Sequence, residues 1–117
     1  MSEALRALQQ RLAAFAAARD WDQFHSPKNL AMALSVEAAE LVEEFQWLTE
    51  EQSKALDAER RERVRLELAD VFIYLLRLAD KLDVDLMQAA DDKIAHNERK
   101  YPAERVRGDS RKYDQYD

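Results

Sequence analysis

Cysteine is absent from the 117 residues, and the chain contains one glycine and two prolines. Without cysteine there is no disulfide, no thiolate catalysis and no zinc–thiolate site. So few turn-forming residues disfavour an all-β or α/β fold, which needs many tight turns. Because no stretch of 18 residues is free of charge, no transmembrane helix is expected. Charged residues near the amino terminus also break any signal-peptide pattern, so a cytoplasmic protein with no membrane partner is expected.

The chain is acidic, with a formal net charge of −6. A protein that coats DNA needs positive charge, so a nucleic acid polymer is not an expected partner. A nucleotide substrate remains compatible with this charge, because a bound metal ion reverses the local potential. The richness in alanine, leucine, glutamate and arginine predicts an all-α fold. The length predicts a single domain over residues 1–117, with a polar tail from residue 103.

Hydrophobic periodicity and capping residues predict four helices. A serine precedes each of the first two, and Pro27 takes the first helical position of the second. Capping boxes at Thr49–Gln52 and Asp85–Gln88 predict a short helix or turn and the start of the fourth helix. Tyr101–Pro102 ends the fourth helix, and from Ala103 the chain is expected to be extended or flexible. The first predicted helix runs from about Glu3 to Arg19, and the second runs from Pro27 to about Leu48. The stretch 57–65 is charged and exposed, and the third helix runs on to about Leu82. The fourth helix runs from about Asp85 to Lys100.

Two pairs of acidic residues interrupt apolar stretches that are predicted to be helical. Glu37 and Glu40 lie in LAMALSVEAAELVEEFQWL, and Glu67 and Asp70 lie in RVRLELADVFIYLLRLADKL. Residues three apart share a helix face, and in both stretches that face also carries core-type side chains. Like charges clustered on core-facing stripes are costly. We therefore predict that the four acids hold a cation.

Most glutamates on a helix are solvated surface acids that pair with arginine or lysine. That alternative suits the glutamates outside the apolar stripes and fits the two acidic pairs poorly. Glu44 also falls on the stripe of the second helix. For Glu44 two interpretations stay open, a fifth acid of the site or a salt bridge to a neighbouring residue.

Carboxylates without cysteine or suitably spaced histidine favour Mg²⁺, or Mn²⁺ in its place. A di-iron bundle would carry Glu-x-x-His pairs, and neither His25 nor His96 lies three residues after a glutamate. Mg²⁺ usually shares its coordination sphere with substrate phosphates. The predicted cation therefore points to the chemistry of a phosphate ester or anhydride.

Three residues of the fourth predicted helix could serve a phosphate group. Lys93, Asn97 and Lys100 share one face, and their ammonium and amide groups suit phosphate oxygens. Pairing with the site acids, or the general preference for cations at a helix C-terminus, explains them equally well. Both interpretations stay open.

Aromatic residues surround the acidic pairs in the sequence. Trp21, Phe24 and His25 lie in a predicted loop from Asp20 to His25 and can form a wall for stacking a base, although ordinary packing explains each one singly. The third predicted helix is apolar around almost its whole circumference between residues 71 and 76. Such a helix is buried on all sides, so we expect a homodimer or a dimer of dimers.

Four segments of the chain carry a family resemblance: RDWDQFHSPKNLAMALSVEAAELVEEFQW, ELADVFIYLLRLADKLDVDL, KIAHNERKYP and SRKY. Together they resemble the MazG-like nucleoside triphosphate pyrophosphohydrolases, and in particular their dCTP pyrophosphatase branch. The resemblance covers about residues 12–113. It implies a four-helix all-α fold, assembly as a homotetramer with sites between subunits, and Mg²⁺-dependent hydrolysis of dCTP or a modified dCTP to the monophosphate and pyrophosphate, in nucleotide-pool sanitation. A metal- and nucleotide-binding helical module without enzymatic activity is the alternative.

The resemblance also implies roles for individual residues. The acids of the two pairs, Glu37 with Glu40 and Glu67 with Asp70, match the metal ligands. A spare carboxylate, Glu40 or Glu44, is the candidate general base. Animal members of the branch place a histidine of the first helix in the substrate pocket, where this chain has Leu12. The substrate-binding candidates are Trp21, Asp22, Gln23, Phe24, His25, Lys28, Asn29, Trp47, Tyr74, Lys93, Asn97, Lys100 and Tyr101.

Overall fold

The computed structural model describes residues 2–108. These residues form two compact units, one from Ser2 to Val84 and one that begins at Asp85. All regular structure in the described residues is helical, which confirms the predicted all-α class. Residues 109–117, including the SRKY segment, lie outside the described range, and the single domain stays a prediction. The elements are α1 Glu3–Ala18, a 3-10 turn Asp22–Phe24, α2 Pro27–Glu43, α3 Glu50–Ser53, α4 Ala58–Lys81, α5 Leu86–Lys100 and α6 Ala103–Val106.

The helices begin at the caps that the sequence indicates. The Ser26 hydroxyl accepts a hydrogen bond from the backbone N–H of Asn29 at 3.2 Å, with Pro27 in the first turn. Thr49 and Gln52 form a reciprocal capping box at the start of α3. The Asp85 carboxylate accepts from the backbone N–H of Gln88 and starts α5. Each cap satisfies a backbone donor that lacks a partner within its helix.

Helix α2 is five residues shorter than predicted. Beyond Glu43, the backbone N–H groups of Glu44 and Phe45 donate to carbonyls three residues back, as in a tight turn. The Arg60 guanidinium donates to the carbonyl oxygen of Glu44 at 2.5 Å and satisfies an acceptor at the helix end. Apolar residues continue at helical spacing through Leu48, and this pattern does not reveal the long-range bond from Arg60. The helix predicted from the sequence is therefore too long.

The structure sets the start of α4, which the sequence left open, and corrects one other prediction about the chain. Helix α4 includes the charged stretch 57–65 almost entirely, since Asp57 caps it and accepts from the backbone N–H of Arg60 at 2.8 Å. The chain after Pro102 is not extended throughout, because the short helix α6 follows. The Pro102 carbonyl accepts from the backbone N–H groups of Arg105 and Val106. A proline that ends one helix can therefore start the next.

In the unit Ser2–Val84, α1 and α2 both pack against α4. Leu30 of α2 and Leu76 of α4 are almost completely buried, as is Ala16 of α1. Gln9 is a buried polar residue of α1, and its side-chain amide donates to the carbonyl oxygen of Leu76 at 3.1 Å. This bond fixes α1 on α4, the helix that carries Glu67.

Helix α4 also exposes apolar side chains in the single chain. Leu66, Leu68, Phe72 and Leu75 are all exposed. The single chain by itself therefore does not bury this helix on all sides, as was predicted. Among the described residues, no helix has both the length and the apolar character needed to cross a bilayer.

Replacing Gln9 tests how α1 is held. We expect Gln9→Ala to lower the free energy of unfolding by about 1–3 kcal/mol, because it removes a buried hydrogen bond and leaves a void. Gln10 is an exposed glutamine of the same helix, so Gln10→Ala is the matched control and should cost less than about 0.5 kcal/mol. Urea unfolding followed by circular dichroism measures both. Equal losses in the two variants would contradict the assigned contact.

Candidate active site

Four carboxylates of α2 and α4 come together. One oxygen from each of Glu37, Glu40, Glu67 and Asp70 lies within 4.8 Å of the corresponding oxygen of the other three. The Oε2 atoms of Glu37 and Glu67 are buried and have no hydrogen-bond partner among the described residues. Buried acceptors without partners are costly unless a cation binds them. The cluster therefore fits a divalent metal ion with oxygen ligands.

The crowding of these carboxylates opposes their full ionisation. Burial, followed by the hydrogen bond and charge of Glu40, raises the pKa of Glu37 to about 7. Burial and the charges of Glu40 and Asp70 also raise the pKa of Glu67. Below about pH 7 the metal-free cluster therefore retains a proton. A divalent ion that binds there competes with that proton.

Glu44 forms the salt bridge that was one of its two interpretations. Its carboxylate accepts from Nε of Arg63 at 3.1 and 3.2 Å, and lies 3.4 Å from the Arg60 guanidinium. Its charge contributes to the raised pKa of Glu67. The two arginines offset a fifth negative charge beside the cluster.

A cavity of about 370 Å³ lies in the same unit. It includes Asp70, so one residue belongs both to the acidic cluster and to the cavity wall. Its size and apolar lining are typical of a small-molecule site with a few polar groups. The lining residues are Leu12, Phe15, Ala16, Trp21, His25, Asp70, Ile73, Tyr74 and Arg77.

The aromatic wall of the cavity is built by the end of α1 and the turn that follows. The backbone N–H of Trp21 donates to the carbonyl oxygen of Ala16 at 2.9 Å and turns the chain back toward α1. The Trp21 ring meets Phe15 edge to face, with 5.8 Å between the ring centroids. The Arg19 guanidinium covers the Phe15 ring at 3.6 Å. These contacts hold two rings in place before any ligand binds.

Arg77 is a cavity residue that the sequence reasoning missed. Its side chain is 6% exposed, and it donates to Oδ1 of Asp22 at 2.5 Å and to Nδ1 of His25 at 3.2 Å. Lys81 donates to the same Asp22 oxygen at 2.6 Å. The helical spacing gives a signal for Arg77, since it follows Tyr74 by three residues and Asp70 by seven. Asp22 therefore fixes the turn to α4.

The remaining candidates lie elsewhere. The Gln23 amide bonds to Asp20, and the Asn29 amide donates to the carbonyl oxygen of Phe24. Both contacts organise the turn itself. Phe24 and Lys28 are exposed, and Trp47 is 87% exposed in the turn after α2. Four candidates belong to the second unit and stay predictions: Lys93, Asn97, Lys100 and Tyr101.

The raised pKa of Glu37 predicts how the stability of the metal-free protein depends on pH. Between pH 4.5 and pH 7 the folded protein retains a proton that the unfolded chain releases, so the free energy of unfolding falls as pH rises through this window. A divalent metal ion removes this penalty. We expect Mg²⁺ to raise the melting temperature at pH 8 by at least about 3 °C more than at pH 5.

Differential scanning calorimetry at the two pH values measures this difference. The control is Glu37→Gln, which removes the titrating group and should show a smaller change between the two pH values. A Mg²⁺ shift of equal size at pH 5 and pH 8 in the unaltered chain would rule out proton competition at the cluster.

The family model of the MazG-like family matches residues 32–115. dCTP pyrophosphatase 1 of Homo sapiens is 50% identical over 103 residues, which cover 86% of this chain and 61% of that protein. dCTP pyrophosphatase 1 of Mus musculus is 47% identical with the same coverage. The chain thus spans about three fifths of the length of these curated relatives.

The fold has a counterpart among solved structures. The crystal structure of a pyrophosphatase from Archaeoglobus fulgidus superimposes with a TM-score of 0.81 at 39% identity. The match covers 87% of this chain and 95% of the archaeal chain. The all-α architecture, the two acidic pairs and these similarities agree, and the chain belongs to the MazG-like family.

Proposed function

We propose that the protein is a nucleoside triphosphate pyrophosphohydrolase. It hydrolyses dCTP, or a modified dCTP, to the monophosphate and pyrophosphate, and so removes that nucleotide from the cellular pool. The observation that carries this proposal is the continuity of the acidic cluster with an aromatic cavity through Asp70. A metal site beside a cavity that suits a base fits a nucleoside triphosphate. The curated relatives named dCTP pyrophosphatase support the choice of substrate.

Mg²⁺ is the proposed metal ion, and Glu37, Glu40, Glu67 and Asp70 are its proposed ligands. These four side chains offer hard oxygen atoms, and two of the oxygens are buried without a hydrogen-bond partner among residues 2–108. When bound, Mg²⁺ supplies positive charge for the triphosphate and acidifies an attacking water molecule. Mn²⁺ has similar ligand preferences and is the expected substitute.

Glu40 is the preferred candidate for the general base. The competing candidate was Glu44, but both of its carboxylate oxygens accept hydrogen bonds from Arg63. A carboxylate engaged in this way has little capacity to take a proton from water. Glu40 uses one carboxylate oxygen in the cluster, and its second oxygen is the proposed proton acceptor.

The base of the nucleotide is proposed to bind in the cavity. Trp21 and Tyr74 offer ring faces, and His25 offers a polar edge. Leu12 lines the same cavity with an apolar side chain, so that wall contributes no hydrogen bond to the base. Stacking and the polar edge together are proposed to select the base.

Residues of α5 are proposed to bind the triphosphate, with two lysines that supply further positive charge. Lys93, Asn97 and Lys100 share one face of α5, and their groups suit the oxygens of the leaving pyrophosphate.

Self-association is part of the proposal. The exposed apolar side chains of α4, including Phe72 and Leu75, form the kind of surface that a second copy of the chain covers. Such a contact gives a homodimer or a homotetramer. Light scattering on the purified protein distinguishes these assemblies from a monomer.

Removing a proposed metal ligand tests the function. We expect Glu67→Gln to lower pyrophosphate release from dCTP in the presence of Mg²⁺ by more than about 100-fold, because the cluster loses a charged ligand. Glu59 is an exposed acid of the same helix, outside the cluster, so Glu59→Gln is the matched control and should retain activity. Circular dichroism should show the same helix content in both variants.

The substrate assignment needs a panel of natural and modified nucleoside triphosphates. Release of pyrophosphate from dCTP that depends on Mg²⁺ supports the enzyme, whereas binding without release supports the module without enzymatic activity. Full activity of Glu67→Gln would reject the proposed site. Activity toward dUTP or dTTP with none toward dCTP would reject the proposed substrate.

A further inference from the structure

A second polar network lies at the wall of the cavity, apart from the acidic cluster. It joins Asp22 and His25, which flank the 3-10 turn, to Arg77 of α4. Both His25 and Arg77 line the cavity. The network therefore links the buried guanidinium of Arg77 to the imidazole ring of His25, in the cavity that is proposed to bind the nucleotide base.

The direction of the bond between Arg77 and His25 fixes where the histidine carries its proton. An arginine side chain donates hydrogen bonds and has no acceptor. Because Nε of Arg77 donates to Nδ1 of His25 at 3.2 Å, Nδ1 must present a lone pair. The proton of the neutral ring then resides on Nε2. For Nε2, the described residues provide no hydrogen-bond partner.

The orientation of Arg77 is held from several sides. Its terminal nitrogens lie 2.5 Å from Oδ1 of Asp22 and 3.6 Å from Oδ2 of Asp80. Because the guanidinium group is planar and rigid, two contacts at its far end also set the direction of the Nε–H bond. Lys81 binds the same oxygen of Asp22, which keeps that carboxylate ionised as the partner of Arg77.

The surroundings of His25 also favour its neutral form. Burial lowers the pKa of His25, and the positive charges of Arg77 and Lys81 act in the same direction. The charge of Asp22 acts in the opposite direction. A proton on Nδ1 would face the Nε–H group of Arg77, so protonation would also break the hydrogen bond described above.

We propose that Arg77 is a positioning residue that holds His25 as a hydrogen-bond donor at Nε2, so that the cavity selects a ligand edge with an acceptor. The ligand class rests on the proposed function, since a cytosine ring offers acceptors at O2 and N3. A ring with its proton on Nδ1 would present an acceptor at Nε2 and select the opposite kind of edge. Arg77 thus determines specificity without touching the reacting phosphates.

Nuclear magnetic resonance of the ring nitrogens tests the protonation state of His25 in the nucleotide-free protein. We expect His25 at pH 7.5 to carry its proton on Nε2 and to leave Nδ1 unprotonated. His96 is exposed and serves as the internal reference, and a His96→Gln variant assigns the two sets of signals. A proton on Nδ1 of His25, or on both ring nitrogens, overturns the inference.

Substrate kinetics test whether Arg77 contributes to nucleotide binding through His25. Arg77→Lys keeps a cation beside Asp22 but removes the Nε–H donor, so the KM for dCTP should rise about tenfold while kcat changes less than about twofold. Arg65→Lys is the matched control, because Arg65 lies on the same helix and its Nε–H group donates to the exposed carboxylate of Glu62, outside the cavity. Both of its kinetic constants should stay within about twofold of the unaltered values.

A double-mutant cycle separates positioning from general damage. His25→Phe removes the donor directly, and adding Arg77→Lys to it should raise KM no further. Additive effects of the two substitutions, or an unchanged KM in Arg77→Lys, overturn the inference. If His25 carries its proton on Nε2 but the unaltered protein does not hydrolyse dCTP, the proposed function is rejected and not the role of Arg77. The two failures are therefore distinguishable.

Discussion

Repulsion among four clustered carboxylates has to be compensated by the packing and the charges around them. Glu37 and Glu67 each bury one oxygen that has no hydrogen-bond partner in the described part of the chain, and burial with neighbouring charge raises the pKa of both. Such an arrangement is stable when α2 and α4 pack firmly and when a cation compensates the charge. The buried leucines of both helices supply the first condition, and the proposed Mg²⁺ supplies the second.

Arginines organise the surroundings of this cluster on two sides. Arg60 ends α2 by binding the carbonyl oxygen of Glu44, and together with Arg63 it also binds the Glu44 carboxylate. On the cavity side, Arg77 ties the turn after α1 to α4. Arg60 and Arg63 offset the negative charge of Glu44, and Arg77 orients the ring of His25. All three act on groups beside the cluster and leave its four acids available to a cation.

Local signals in the sequence predicted much of this structure, and long-range contacts explain the rest. Ser26–Pro27 and the capping box at Thr49 act within one helical turn, so they located the helix starts. The spacing of the acidic pairs brought four carboxylates to two helix faces that meet. The end of α2 depends on Arg60, which lies 16 residues away from Glu44. The role of Arg77 depends on partners 52 and 55 residues away, which periodicity does not reveal.

Anomalous diffraction shows whether the four acids of α2 and α4 form a divalent metal site. Crystals grown with Mn²⁺ in place of Mg²⁺ would be measured at the manganese absorption edge. We expect an anomalous peak about 2.2 Å from oxygens of Glu37, Glu40, Glu67 and Asp70. A peak elsewhere in the protein, with the four carboxylates bound to arginine or lysine instead, would contradict it.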